Sequence, residues 1–231
     1  MLRNLRATVW DTAIVLVCGA LLFTVLFGVA DRQSSAELRD APCILIDPGH
    51  GGADGGATAG DGTEEKELNL KIAAPLRDML CVMGYRVVST RTDDSMICTE
   101  GSPLRERNVS DMRNRLAMIN AAELTVSIHQ NKFSQAQYWG TQVFYSANTA
   151  ESKLLAESIR ACVVEWLQPT NTRELKRGTE EVYLLHRAER PMVLVECGFL
   201  SNAEELEKLK KEDYRQTLAF AVAVGTMKYI G

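Results

Sequence analysis

The chain has 231 residues, of which 46% are hydrophobic, 24% charged and 6% aromatic. That balance excludes intrinsic disorder, collagen-like repeats and a small disulfide-framed fold, and no 20–50-residue period points to a solenoid or propeller. Residues 1–40 carry four basic and four acidic groups, so the net charge of −4 sits in the remainder, and a mildly acidic domain without a basic stripe argues against nucleic acid as a partner.

In chain order, residues 1–12 read as a short cytoplasmic tail with Arg3 and Arg6. Residues 13–30 are apolar and uncharged; at helical rise they span about 27 Å, enough for a hydrocarbon core. The positive flank places the tail inside and the rest of the chain outside the membrane. Two readings stand: an uncleaved anchor, and a secretory signal cleaved after the small-x-small triplet Gly28-Val29-Ala30. Residues 31–41 read as a polar linker and 42–231 as one domain. Six cysteines show no CxxC and no metal-type spacing, so most are read as free, buried thiols.

Within the domain, Cys43–Asp47 is a short apolar run ending in Pro-Gly, hence a buried strand and a turn. His50–Gly62 is glycine-rich and reads as a loop. Glu65–Met83 is a helix with a stripe of Leu68, Ile72, Leu76, Met79 and Leu80, ended by Gly84. Tyr85–Thr90 is a strand. Leu104–Ala122 is an amphipathic helix with Val109, Met112, Leu116 and Ile119 on one face. Leu124–His129 and Thr141–Tyr145 are strands, Ala150–Leu167 a helix, and Val182–Leu185 and Met192–Cys197 strands. Helices over Asn202–Leu209 and Tyr214–Tyr229 close the chain. This alternation predicts an α/β domain with a mainly parallel central sheet covered by helices on both faces. Ligands in such folds bind at the carboxyl ends of the strands.

Those ends deliver His50 in DPGHGG, His129 in SIHQN and Glu196 in VLVEC. Two histidines and a carboxylate with an open fourth position are the ligands of a hydrolytic zinc site, and a further carboxylate serves as general base. The competing reading is that these are ordinary surface or core histidines. Glu64 and Glu65 are adjacent acids at a helix start, and spacing does not choose between them. Asp47 reads equally as an acceptor orienting a ligand histidine and as a turn cap. Gly49, Gly51, Gly52, Gly55 and Gly56 read either as room for a bulky ligand near His50 or as a plain flexible turn. Asn131 is a candidate substrate contact or loop cap, His186 a candidate substrate contact, Arg91 a salt-bridge partner, and Asn202 a helix N-cap. Cys197 beside Glu196 admits a cysteine hydrolase, which needs a histidine base in reach.

The segments ILIDPGHGGADGGA, EEKELNLKIA, SIHQNKF and VLVECGFLSNAEE resemble the four signatures of the zinc-dependent N-acetylmuramoyl-L-alanine amidases of the third amidase class, over residues 42–230. The resemblance implies cleavage of the amide between the lactyl group of muramic acid and L-alanine of the peptidoglycan stem peptide. It implies one Zn²⁺ per site held by His50, Glu65 and His129, with Glu196 as the catalytic acid and base. Two departures, HQN for HAN and Cys197 after the acid, touch no implied ligand. The stretch TEGSPLRERNVSDMRNRLAMIN and the N-terminal apolar segment are similar to the germination-type amidases of spore formers. That similarity implies a role in forming cortex muramic-δ-lactam, a catalytic domain outside the cytoplasm and a candidate lipoprotein partner. The alternatives are a vegetative cell-wall amidase, a non-catalytic glycan-binding relative, and a zinc peptidase or deacetylase.

Overall fold

The computed structural model describes residues 43–99, 101 and 103–231. The expected tail, apolar segment and linker lie outside the described residues, and among those described no helix is long and apolar enough to cross a membrane. Six strands form one sheet: β1 (Cys43–Pro48), β2 (Arg86–Ser89), β3 (Leu124–Asn131), β4 (Gln142–Tyr145), β5 (Lys176–Arg177) and β6 (Met192–Phe199). Among the described residues six helices accompany them: α1 (Glu65–Val82), α2 (Leu104–Ala121), α3 (Ala150–Trp166) and α4 (Tyr183–Arg187) between strands, and α5 (Ala203–Lys210) and α6 (Glu212–Ile230) after the last strand.

The strand order is β2-β1-β3-β6-β4-β5, parallel throughout except where β4 runs antiparallel to β6. The chain leaves β1 for β2 on one side and then crosses to β3 on the other. The order therefore reverses between β1 and β3, and a crevice opens at their carboxyl ends.

Strand alternation divides the core into two layers. Ile44, Ile46, Val126, Ile128, Val193 and Val195 face a layer built on α1, α3 and α6. Leu45, Met192 and Leu194 face the thinner layer of α2 and α4. On α1 the stripe Leu68, Ile72, Leu76 and Leu80 is buried as its spacing requires.

Two expected elements differ. Val182–Leu185 is not a strand: Tyr183–Arg187 form a short helix that turns Leu184 and Leu185 into the thinner layer. Helix α2 buries the expected stripe only in part, Ile119 fully and Val109 not at all. Val109 is 46% exposed, Met112 and Leu116 are only partly covered, and the buried positions are Asp111, Arg115 and Ile119. Five free thiols occur among the described residues; Cys162 and Cys197 are buried, whereas Cys43 and Cys98 are half-buried and Cys81 is exposed, so burial of most of them does not hold. Asn202 does cap α5, its Oδ1 accepting from Glu205 N at 3.1 Å.

Candidate metal centre

The crevice holds a cluster assembled from three elements. His50 follows β1, His129 lies near the end of β3, and Glu65 opens α1, where the helix N-terminus favours a carboxylate. Their ligand-type atoms all lie within 4.8 Å of one another. Glu65 Oε1 stands 2.9 Å from His129 Nδ1 and 3.3 Å from His50 Nε2, and the two rings sit edge-on with centroids 5.0 Å apart. Two imidazole nitrogens and a carboxylate suit a divalent ion of the zinc type.

The neighbours hold each donor in place. Glu65 Oε1 accepts from Gln130 N at 3.0 Å, and Glu65 Oε2 accepts from Ala57 N at 2.9 Å. Burial raises the Glu65 pKa, but the hydrogen bonds from His129 and His50 outweigh it and hold the carboxyl far below its ordinary range. His50 Nδ1 is 2.8 Å from Asp54 Oδ2. Burial would lower the His50 pKa, yet Asp54 and Glu65 push the ring up to about 10. Tight packing explains two of the glycines: a Cβ at Gly49 would lie 2.2 Å from the His129 ring, and one at Gly56, where φ is +66°, 2.7 Å from Glu65 Oε2. These two positions serve internal packing, not room for a ligand.

Glu64 turns away from the cluster, to Lys66 Nζ at 3.3 Å. Asp47 neither orients a histidine nor caps the turn. It is fully buried, accepting from Arg115 Nη1 at 2.6 Å, Ser127 Oγ at 2.7 Å and Thr90 Oγ1 at 2.8 Å. Burial raises its pKa and the Arg115 guanidinium overcomes that, so the net shift is downward. The acceptor for the ligand-type histidine is Asp54, four residues past His50 in the glycine loop; an acid at that spacing is the signal that marks it. Among the described residues Arg91 makes no salt bridge; it donates to backbone carbonyls.

Glu196 faces His129 across the β3–β6 ladder, where their Cα atoms are register partners. Its Oε2 is buried with no hydrogen-bond partner among the described residues, and burial pushes the carboxyl up to about 7. Glu196, His50 and His129 line one cavity of about 410 Å³, walled by α2 and the approach to α4, including Asn108, Tyr183 and Leu184. A carboxyl that titrates near neutrality beside two imidazoles can take and return a proton. Cys197, one residue on, points to the opposite face of β6 and is fully buried, which drives its thiol pKa far up; it has no access to the cavity as a nucleophile. His186 is exposed on α4 and Asn131 ends β3; neither lines the cavity. Lys208, Lys210 and Lys211 are exposed, with Lys210 pairing to Asp61.

A family model described as N-acetylmuramoyl-L-alanine amidase matches residues 44–228. The germination-specific N-acetylmuramoyl-L-alanine amidase of Bacillus subtilis (strain 168) is 37% identical over 189 residues, covering 80% of this chain and 78% of that protein. The CwlD amidase from Clostridioides difficile, solved in complex with the GerS lipoprotein, matches with a TM-score of 0.78 at 38% identity over 82% of this chain and 98% of that one. An N-acetylmuramoyl-L-alanine amidase from Clostridium difficile 630 matches with a TM-score of 0.72 at 30% identity, over 82% and 97% of the two chains.

Proposed function

The chain belongs to the N-acetylmuramoyl-L-alanine amidase family, and on that premise we propose how its residues carry the reaction and where it acts. The reaction is hydrolysis of the amide between the lactyl group of muramic acid and the L-alanine of the stem peptide. His50, Glu65 and His129 hold one zinc ion. The observation that carries this reading is the convergence of their donor atoms within 4.8 Å, from three elements distant in sequence. Bound there, zinc supplies Lewis-acid polarisation of the scissile carbonyl and acidifies a water.

Glu196 does the proton work. Its buried, unpartnered Oε2 takes a proton from the attacking water and returns it to the departing alanine nitrogen, which must leave as a neutral amine. Asp54 fixes the His50 ring so that Nε2 faces the cluster. The cavity beside Glu196 takes the scissile bond, with α2 and Tyr183 as its walls.

Similarity to the germination-specific amidase supports a role in the spore cortex, where peptide removal precedes muramic-δ-lactam formation. Similarity to the CwlD amidase supports a lipoprotein as an accessory partner. The apolar segment 13–30 exports the chain and anchors or releases it outside the cytoplasm, with 31–41 as linker and 42–231 as the catalytic domain. Mass spectrometry of muropeptides after incubating the full chain with peptidoglycan tests the reaction. The expected products are muramic acid with a free lactyl carboxylate and intact stem peptides, formed only without chelator. Release of acetate, cuts within the stem, or chelator-insensitive cleavage would replace the proposal with another hydrolase.

A further inference from the structure

The backbone that carries His50 is gripped by two buried arginines. His50 has φ +62°, the only positive φ at a non-glycine residue among those described. A side chain with a Cβ disfavours that conformation, which persists only where the surroundings over-determine it. Three consecutive carbonyls supply the grip. Pro48 O accepts from Arg91 Nε at 3.0 Å and Arg115 Nη1 at 2.9 Å. Gly49 O accepts from Arg91 Nη2 at 2.9 Å, and His50 O from Arg115 Nη2 at 2.7 Å.

Both side chains are nearly inaccessible, Arg91 at 4% and Arg115 at 1% exposure. Arg115 is neutralised by Asp47 and by Asp111, each at 2.6 Å. Arg91 has no carboxylate in ion-pair range among the described residues; all its hydrogen bonds go to carbonyls, including Lys66 O beside Glu65. Burying an uncompensated cation is costly, and a planar fork spanning adjacent carbonyls is a geometry that lysine does not reproduce.

We propose that Arg91 and Arg115 are positioning residues: a guanidinium clamp that fixes the left-handed His50 backbone and so presets the ion affinity of the His50–Glu65–His129 cluster. This rests on the metal reading above. The clamp joins the end of β2 and the middle of α2 to the turn after β1, and through Lys66 O to the start of α1. Two of the three donor-bearing segments are thereby referred to one rigid frame. A purely structural tie would lower folding stability and leave the affinity of the folded protein unchanged; a positioning clamp changes that affinity.

The test is titration of the full chain with Co²⁺, following its d–d absorption, at a temperature where circular dichroism shows each variant folded. Arg91→Lys and Arg115→Lys are expected to bind Co²⁺ about 10- to 100-fold more weakly, with an altered absorption band. Arg91→Ala is expected to regain affinity with millimolar methylguanidinium, which refills the vacated fork. If Arg115→Lys does not fold, Arg91→Lys and the rescue decide. A folded Arg91→Lys chain binding Co²⁺ within about twofold of the parent would overturn the clamp alone. A parent chain that binds no Co²⁺, or a His129→Ala variant that binds as tightly as the parent, would overturn the metal reading and the clamp with it.

Discussion

Glu196, the proposed proton carrier, is held in the fold at the expense of stability. Burial raises its carboxyl from 4.5 to about 7, so the folded state holds a proton that the unfolded chain releases in that window. The stability present below pH 4.5 is therefore lost as pH rises through about 7. Glutamine has the same shape and no charge to desolvate. In chelated protein, Glu196→Gln is expected to be more stable than the parent by about 2–3 kcal/mol at pH 8, with no such advantage at pH 4, as read by urea unfolding at both pH values. Equal stabilities at pH 8 would show that Oε2 is not desolvated. At the same scale, Asp54→Ala removes the 2.8 Å partner of His50 Nδ1, and zinc affinity by competition with a chromogenic chelator is expected to fall about 10- to 100-fold. The two histidines stood out in the sequence because each follows or closes an apolar strand run, whereas position did not separate Glu65 from Glu64, and Glu196 lies inside β6 rather than at its end. The buried role of Asp47 was not, since its partner Arg115 lies 68 residues away and local spacing carries no trace of it.

Elements with a strong apolar period were legible, and short or polar-faced ones were not. Helix α1 follows its stripe, whereas the run Val182–Leu185 has the β-branched and aromatic composition of a strand but is drawn into a helical turn by burial of Leu184 and Leu185. Helix α2 shows why periodicity alone misleads. Its inward face combines Ile119 with an ion network around Arg115 that supports the first histidine loop, and Val109, on the same apolar stripe, is left half in solvent. A pair of substitutions checks this assignment. Val109→Ala is expected to change unfolding free energy by less than about 0.5 kcal/mol, while Ile119→Ala, at a fully buried position, costs about 2–5 kcal/mol. Comparable losses at the two positions would mean that Val109 is buried as Ile119 is.

For the molecule as a whole, the alternation of strands and helices was enough to give the sheet and its covering layers, but not the reversal of strand order between β1 and β3. That reversal is what brings His50 and His129 to one crevice, and it arises from pairings between strands far apart in sequence. The layer of α1, α3 and α6 supplies Glu65 at the amino end of α1, so the proposed centre is a junction of that layer with the carboxyl ends of β1 and β3. A single ion shared by donors from these three elements underlies the proposed chemistry. Diffraction at the zinc absorption edge, on crystals of the zinc-loaded protein, tests it most directly. The predicted result is one anomalous peak bounded by His50 Nε2, His129 Nδ1 and the Glu65 carboxylate. A crevice without a peak, or a peak held by other side chains, would contradict it.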